Sequence, residues 1–535
     1  MKILTLCKKY LLTHKYILAV YICITLLSTA LGILLPFIIG NFLDIFVEGA
    51  TTNDIYRFAI IFGGISILKI LKGYAATIIN IKMQYNMSYA YKRDTINHIQ
   101  SLSLSYINKQ DSAYLNQRIG TDISSLISFC VSILQSMISN IVIIIAPFVI
   151  LLTMNRFVAM LLLLFFVVYA ALYFIFKKSL YNAGYSLMEA QNKFFSRLLE
   201  RLRYVKLIKI NSINPQMNQR TDESFTTTKN AAIHNQKVSY LYSGLDGFVS
   251  TIAQIVLFVV GGLQILAGNF TIGMFTIFTS YFNMILGAGR YFFGLGAYYQ
   301  QTLVAHDRIC EILAHNPEQW GNMQLDDINK IELRNVAFSY NGEKTALQYT
   351  AAFEKGNIYC ISGANGAGKS TLVSLVMGLY INEYSGAIMY NGTDVKEIDL
   401  FAARKNLMSF SEQEPFLFND TIEYNLTFGM GEVPDISKYA KLLNMEDFLQ
   451  DHGLDFVINE KNSNLSGGEK QKISILKTLC KNAPVMIFDE PTSALDANTT
   501  QRFMEYLQQI KQGKIIILIS HDMAVKGKCD HEYSL

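Results

Sequence analysis

Residues 358–376 read Ile358-Tyr-Cys-Ile-Ser-Gly-Ala-Asn-Gly-Ala-Gly-Lys-Ser-Thr-Leu-Val-Ser-Leu-Val376. An apolar run of strand length is followed by a glycine-rich loop and then by an apolar helix. The loop is a full G-x-x-x-x-G-K-S in the strand–loop–helix setting that a phosphate cradle needs. Backbone N–H groups of Gly363, Ala364, Asn365, Gly366, Ala367 and Gly368 would wrap the phosphates of a nucleotide at the helix N-terminus. Lys369 would reach the β/γ oxygens and Ser370, with Thr371 behind it, would face a Mg²⁺ ion.

Further strands gather around this one. Ile331–Tyr340 alternates as a strand, and Val485-Met-Ile-Phe-Asp-Glu490 is a buried-type strand ending in two acids. Ligands of α/β sheets lie at the carboxyl ends of strands, so Asp489 is the natural Mg²⁺-site acid. Glu490 is suited to orient or deprotonate an attacking water, since phosphoryl transfer is mostly positioning and charge neutralisation. The last apolar strand, Ile515–Ser520, delivers His521 to the same edge, where it would sense a γ-phosphate.

The rest of the chain is of another kind. Of its 535 residues 51% are hydrophobic and only 16% charged, against about 25% in soluble domains. Residues 1–329 hold 26 Lys+Arg and 16 Asp+Glu, net +10; residues 330–535 hold 20 and 26, net −6, together the +4 of the whole chain. No basic cluster falls in the polar half, which argues against nucleic-acid binding. The seven cysteines (Cys7, Cys23, Cys130, Cys310, Cys360, Cys480 and Cys529) have neither metal-ligand nor redox spacing. Six stretches, about 16–40, 58–79, 131–152, 157–176, 248–267 and 272–294, are long and apolar enough to cross a bilayer. The first is too long for a signal-peptide core, and Lys2, Lys8, Lys9 and Lys15 before it would hold the amino terminus in the cytoplasm. Connections after spans one, three and five are short. Those after two and four run to about 50 and 70 residues, and read as helical continuations into the cytosol, each pair of arms ending in a turn able to touch a cytoplasmic partner. Stretches 103–122 and 205–214 lie near those turns; the alternative is an amphipathic helix on the membrane surface.

Lys69 and Lys72 lie mid-span, and Arg290 lies in the sixth span near Asn283. Charges there suggest a pathway for an anionic group on a transported molecule. The alternative is that Arg290 pairs with an acid such as Asp246, or that all three cations face trapped water.

Leu465-Ser-Gly-Gly-Glu-Lys-Gln471, twenty residues before Asp489, resembles the signature of ATP-binding-cassette (ABC) proteins. The resemblance covers the whole chain, by motif in 331–521 and by architecture in 1–315. It implies a membrane-embedded, multi-domain half-transporter of the type IV exporter arrangement, similar to bacterial peptide and multidrug exporters. Its parts would be an all-α six-helix transmembrane domain (1–315) with long cytoplasmic extensions, a linker (316–330) and an α/β P-loop NTPase cassette (331–535). By the same resemblance Tyr340 stacks on adenine and Gln413 contacts Mg²⁺ and the membrane domain. Glu460 contacts the coupling turns, Ser493–Asp496 is the loop after the catalytic acid, and His521 is the switch histidine. Two cassettes bind two ATP head to tail, with Ser466, Gly467, Gly468 and Glu469 of one chain completing the site of the other. All site residues are of the active type, which favours a homodimer, with a heterodimer open. Glu469 stands where glutamine is commoner and Lys472 where arginine is usual. Relatives continue beyond the position of Leu535 with a hairpin and helices, and their absence questions how firmly two cassettes hold together.

The expected function is ATP hydrolysis driving a small peptide or hydrophobic compound out across the cytoplasmic membrane. The aromatic and Met content of the sixth span suits an adaptable apolar cavity or, equally, packing between helices. Alternatives are flipping of a lipid or glycolipid, and a channel or sensor gated by its cassette; Glu490 argues against the latter, because a gate needs no hydrolytic acid.

Overall fold

The computed structural model describes residues 2–110, 112–340, 347–428, 430, 435–459 and 465–535. Glu460 lies outside them. The chain divides into two compact units: residues 1–97 with 112–314, and residues 98–111 with 315–535.

The first unit is helical. It holds α1 (Lys2–Thr13), α2 (Lys15–Gly49) and most of α3 (Thr52–Gln100). A short helix α4 (Leu104–Lys109) belongs to the second unit. The first unit resumes with α5 (Ser112–Gln117), a π-turn at Arg118–Asp122, and α6 (Ile123–Met154). Then come α7 (Arg156–Arg203), α8 (Val205–Asn211), α9 (Asn214–Leu266) and α10 (Ile272–Leu313). Among the described residues six helices are long and apolar enough to cross a membrane, and each expected span falls on one of them. Helices α3, α7 and α9 run 49, 48 and 53 residues, more than twice the roughly 20 a bilayer takes, so the long connections are indeed helix.

Two reverse connections are closed by caps: Asn155 Oδ1 accepts the Val158 N–H at 3.1 Å and Thr271 Oγ1 accepts that of Met274 at 3.0 Å. Asp44, near the end of α2, binds the start of α10, accepting the Gly273 N–H at 2.6 Å and the Thr271 hydroxyl at 2.7 Å. Here the two backbones touch: a Cβ on Gly273 would lie 2.0 Å from the Gly40 carbonyl oxygen, and one on Gly40 2.7 Å from the Gly273 oxygen. Small residues permit such approach between membrane helices.

The second unit is α/β. Strands β1 (Lys330–Phe338) and β2 (Leu347–Glu354) precede β3 (Ile358–Ser362) and α11 (Lys369–Val376). Next are β4 (Tyr384–Tyr390), β5 (Thr393–Asp394), α12 (Leu400–Leu407) and β6 (Met408–Ser411). A helical stretch follows: α13 (Ile422–Thr427), α14 (Ile436–Leu442), α15 (Glu446–His452) and α16 (Gly467–Lys481). The chain then runs β7 (Val485–Asp489), α17 (Ala497–Ile510), β8 (Ile515–Ile519), α18 (Met523–Lys526) and β9 (His531–Ser534).

An antiparallel sheet, β2-β1-β4-β5, lies beside a parallel one, β6-β7-β8-β3-β9. Strands β3, β7 and β8 are buried throughout, which is why they read as unbroken apolar runs rather than alternation. All three point their carboxyl ends at one edge. Residues 98–111 pack with this unit: Leu104 joins its core, Ser105 donates to the Glu383 carboxylate, and the Ser101 carbonyl accepts the Glu318 N–H at 2.7 Å.

Candidate functional site

A cavity of about 790 Å³ opens at that edge. It is lined by Tyr340, Asn365, Gly366, Gly368, Lys369, Ser370, Thr371, Gln413, Asp489, Glu490 and His521, with Leu347 added. Gly363, Ala364 and Ala367 complete the loop without lining the cavity.

The loop leaves β3 and enters α11 through Gly368, at φ +95°. A Cβ there would meet the Tyr349 hydroxyl at 2.3 Å, and that hydroxyl donates to the Gly368 carbonyl at 2.9 Å. Glycine is thus required both by backbone conformation and by space. The Lys369 Nζ donates to the carbonyls of Gly363 (2.8 Å) and Ala364 (3.2 Å) and lies 2.8 Å from His521 Nε2. An ammonium has no lone pair, so this imidazole nitrogen accepts and its proton sits on Nδ1. The 3.7 Å approach of Nε2 to Glu490 Oε1 is then not a charged pair.

Asp489, last in β7, pairs in register with Ile519 and is buried. Burial first, and the neighbouring Glu490 carboxylate next, push its carboxyl up to about 6; Lys369 and the Ser370 hydroxyl pull the other way. Glu490 has φ +48°, a left-handed conformation that a side-chain-bearing residue holds only at a cost. Hydrogen bonds pin its backbone: its N–H donates to Ile519 at 2.9 Å, and its carbonyl accepts from Gln471 Nε2 at 2.7 Å and Ser493 Oγ at 3.0 Å. Ser493 Oγ is also 2.9 Å from Gln471 Oε1. The Glu490 side chain accepts from Gln413 Nε2 at 2.8 Å, leaving the Gln413 amide oxygen available. Ser370, Gln413 and Asp489 thus offer hydroxyl, carbonyl and carboxylate oxygens, the donor set of a hard divalent cation.

Tyr340 stands at the cavity wall, its hydroxyl 3.0 Å from Thr371 Oγ1 and its ring edge-on to Phe338. Ser466, Gly467, Gly468 and Glu469 do not line this cavity; they open α16. Ser466 Oγ accepts the Glu469 N–H at 3.2 Å and the Glu469 carboxylate accepts that of Ser466 at 2.6 Å, a reciprocal cap. The Glu469 carboxylate fills the capping role, one that glutamine would fill equally. Tyr349 and Leu347 were not singled out by sequence; Gln471 and Ser493 were, as the end of the signature and the start of the loop after the catalytic acid, but their contacts with the Glu490 backbone are ones that no spacing rule announces.

In the first unit, a second cavity of about 1010 Å³ lies among α7, α9 and α10. Arg290 lines it, paired with Asp246 at 2.8 Å and donating through Nε to the Tyr169 hydroxyl at 2.7 Å. This is the alternative weighed for Arg290. Asn283, two turns earlier on α10, accepts from Gln254 at 3.3 Å. Lys69, exposed on α3 and near Gly32 of α2, and half-buried Lys72 do not join Arg290 there.

Residues 18–288 match the family described as "ABC transporter transmembrane region" and residues 348–493 that described as "ABC transporter". The lactococcin-G-processing and transport ATP-binding protein LagD of Lactococcus lactis is 26% identical, over 95% of this chain and 73% of its own length. An ATP-dependent lipid A-core flippase of Syntrophus aciditrophicus is 24% identical over 81% and 73%. Among solved structures, a bacterial Atm1-family ABC exporter with ATP bound shares the fold at TM-score 0.83 and 19% identity, covering 98% of this chain and 94% of that one. A six-helix apolar unit and a phosphate-loop cassette in one polypeptide, each matched to its own family region, leave one assignment. The chain belongs to the ABC transporter family, as an exporter-type half-transporter whose cassette hydrolyses ATP.

Proposed function

We propose that two copies of this chain form an ATP-driven exporter in the cytoplasmic membrane, with amino terminus and cassette on the cytoplasmic side. The cargo would be a small peptide or hydrophobic compound. The observation that carries the reading is the clamp on Glu490, whose carboxylate faces the nucleotide cavity beside Gln413 while Gln471 and Ser493 hold its peptide. Lys369 binds the β/γ phosphate oxygens, Tyr340 the base, and His521 the γ-phosphate. Ser370, Gln413 and Asp489 hold Mg²⁺, which supplies charge neutralisation on the phosphates. Glu490 orients the attacking water and takes its proton. The exposed turn at Ser466–Glu469 lies outside its own chain's cavity, and this supports its service to a second copy. The lipid A-core flippase among the relatives, with three cations around the membrane cavity, favours lipid or glycolipid flipping as the second reading.

The test is ATP hydrolysis by this chain alone in lipid nanodiscs, beside Glu490→Gln. The variant is expected to bind ATP and lose about a thousandfold in kcat. Normal turnover in the variant would overturn the role of Glu490, and a silent wild type would overturn the homodimer.

A further inference from the structure

The membrane-unit cavity carries an excess of positive charge. Among its lining residues Asp246 is the one acid, and its Oδ2 is paired with Arg290 at 2.8 Å. Lys177 and Lys178 line the same cavity, are exposed, and make no ion pair among the described residues. The cavity therefore keeps two positive charges without countercharge. Two ammonium groups without a countercharge attract an anion to this mouth of the cavity.

Their position along the helix is informative. Lys177 lies 21 residues after Arg156 at the start of α7, which is about 32 Å at 1.5 Å per residue, one bilayer thickness from that end. Tyr169 lies eight residues back, about 12 Å deeper. Five tyrosines line the cavity, among them Tyr169, Tyr173 and Tyr242. The cationic rim thus sits at the interface; Tyr242 stands level with it against Phe176, and beneath it Tyr173 and Tyr169 share the cavity with the Arg290–Asp246 pair. Aromatic walls with a few placed charges make a site for a molecule with one apolar and one charged end.

We propose that this cavity binds an anionic amphiphile, its charged group between Lys177 and Lys178 and its apolar body among Tyr169, Tyr173 and Tyr242. This rests on the transporter reading and names the substrate class for it. A headgroup of the adjoining lipid leaflet and a soluble aromatic acid share this chemistry.

The test is equilibrium dialysis of nucleotide-free chain in phosphatidylcholine nanodiscs, against empty discs. The probes are 1-pyrenebutyrate, 1-pyrenebutanol and 1-pyrenebutylamine, which share a body and differ in charge. The wild type is expected to bind the butyrate at least about tenfold more tightly than the amine. K177Q/K178Q should shrink that preference to about threefold or less, and Tyr173→Ala should weaken the butyrate and the butanol alike. No anion preference in the wild type, or a preference that survives K177Q/K178Q, would overturn the proposal. Repeating the titration in discs containing phosphatidylglycerol separates the sources. Competition there identifies lipid as the occupant and undiminished binding identifies a soluble anion, the class standing in both cases. ATP hydrolysis on the same discs is read separately, so a dead cassette with intact anion preference removes the transporter reading and leaves the site.

Discussion

Asp489→Asn should make the nucleotide-free cassette more stable while abolishing its hydrolysis. The carboxyl of Asp489 is raised to about 6 from an ordinary 3.8, chiefly by burial. The difference, about 2.2, is about 3 kcal/mol at 1.36 kcal/mol per factor of ten. The sign follows from which state holds the proton more tightly, and here it is the folded one. Below pH 3.8 both states are protonated and folding carries no penalty. Between 3.8 and 6 the penalty grows, and above 6 it is complete. Asparagine has the same shape and no charge to bury. At pH 7.5 the variant should therefore exceed the wild type by about 3 kcal/mol, and at pH 5 by about 1.6 kcal/mol. For a unit of this size that is about 6–12 °C in Tm at the higher pH. The chain has one tryptophan, Trp320, packed against the cassette core and 5.7 Å under the Arg404 guanidinium, so its fluorescence reports this unit. Melts of the full chain in nanodiscs, without Mg²⁺ or nucleotide, would show the gap. Mg²⁺-ATP should then raise the wild type more than the variant, which keeps the phosphate loop but loses one Mg²⁺ ligand. A variant no more stable than the wild type at pH 7.5, or a gap equal at both pH values, refutes the reasoning.

Other substitutions test other contacts. Gln471→Leu removes the hydrogen bond that holds the Glu490 carbonyl, and should lower kcat about 10–100-fold with KM for ATP little changed, at about 1–3 kcal/mol in stability; steady-state kinetics and melts check both. Glu469→Gln preserves the reciprocal cap of α16 and should be neutral within about 0.5 kcal/mol, whereas Glu469→Ala should cost about 1 kcal/mol in the same melts. Arg290→Gln strands Asp246, whose side chain is 12% exposed, and should cost about 3 kcal/mol. Asp246→Asn leaves a half-exposed arginine and should cost about 1 kcal/mol, with R290Q/D246N recovering most of the loss.

What sequence made legible was whatever one stretch of chain decides for itself. The loop at 363–370 is readable because its glycines and lysine answer to a backbone path. The spans are readable because lipid demands unbroken apolar length. The capping box at Ser466 is local too, although Glu469 drew notice there as a nucleotide contact and a departure rather than as a cap. The grip of Gln471 on Glu490 joins residues nineteen apart through a carbonyl, and any residue type supplies a carbonyl. The packing of residues 98–111 with the cassette rests on Glu383 and Glu318, more than two hundred residues away, and neither has a distinguishing neighbourhood in the sequence. For Arg290 the sequence offered both a ligand and an ion pair; only the geometry places Asp246 at 2.8 Å.

The seam between Gly40 and Gly273 has a mechanical meaning. The first and last spans meet there backbone to backbone, with the Asp44 carboxylate and the Ile277 side chain packed against the two glycines. Two rods joined so closely at one end behave as a pair of shears behaves at its rivet, free to change angle but not to part. A chain that rearranges to let a molecule through must then separate its helices elsewhere. Any residue larger than glycine at the rivet would pry the pair apart at that end, and so alter the swing of everything hung from it.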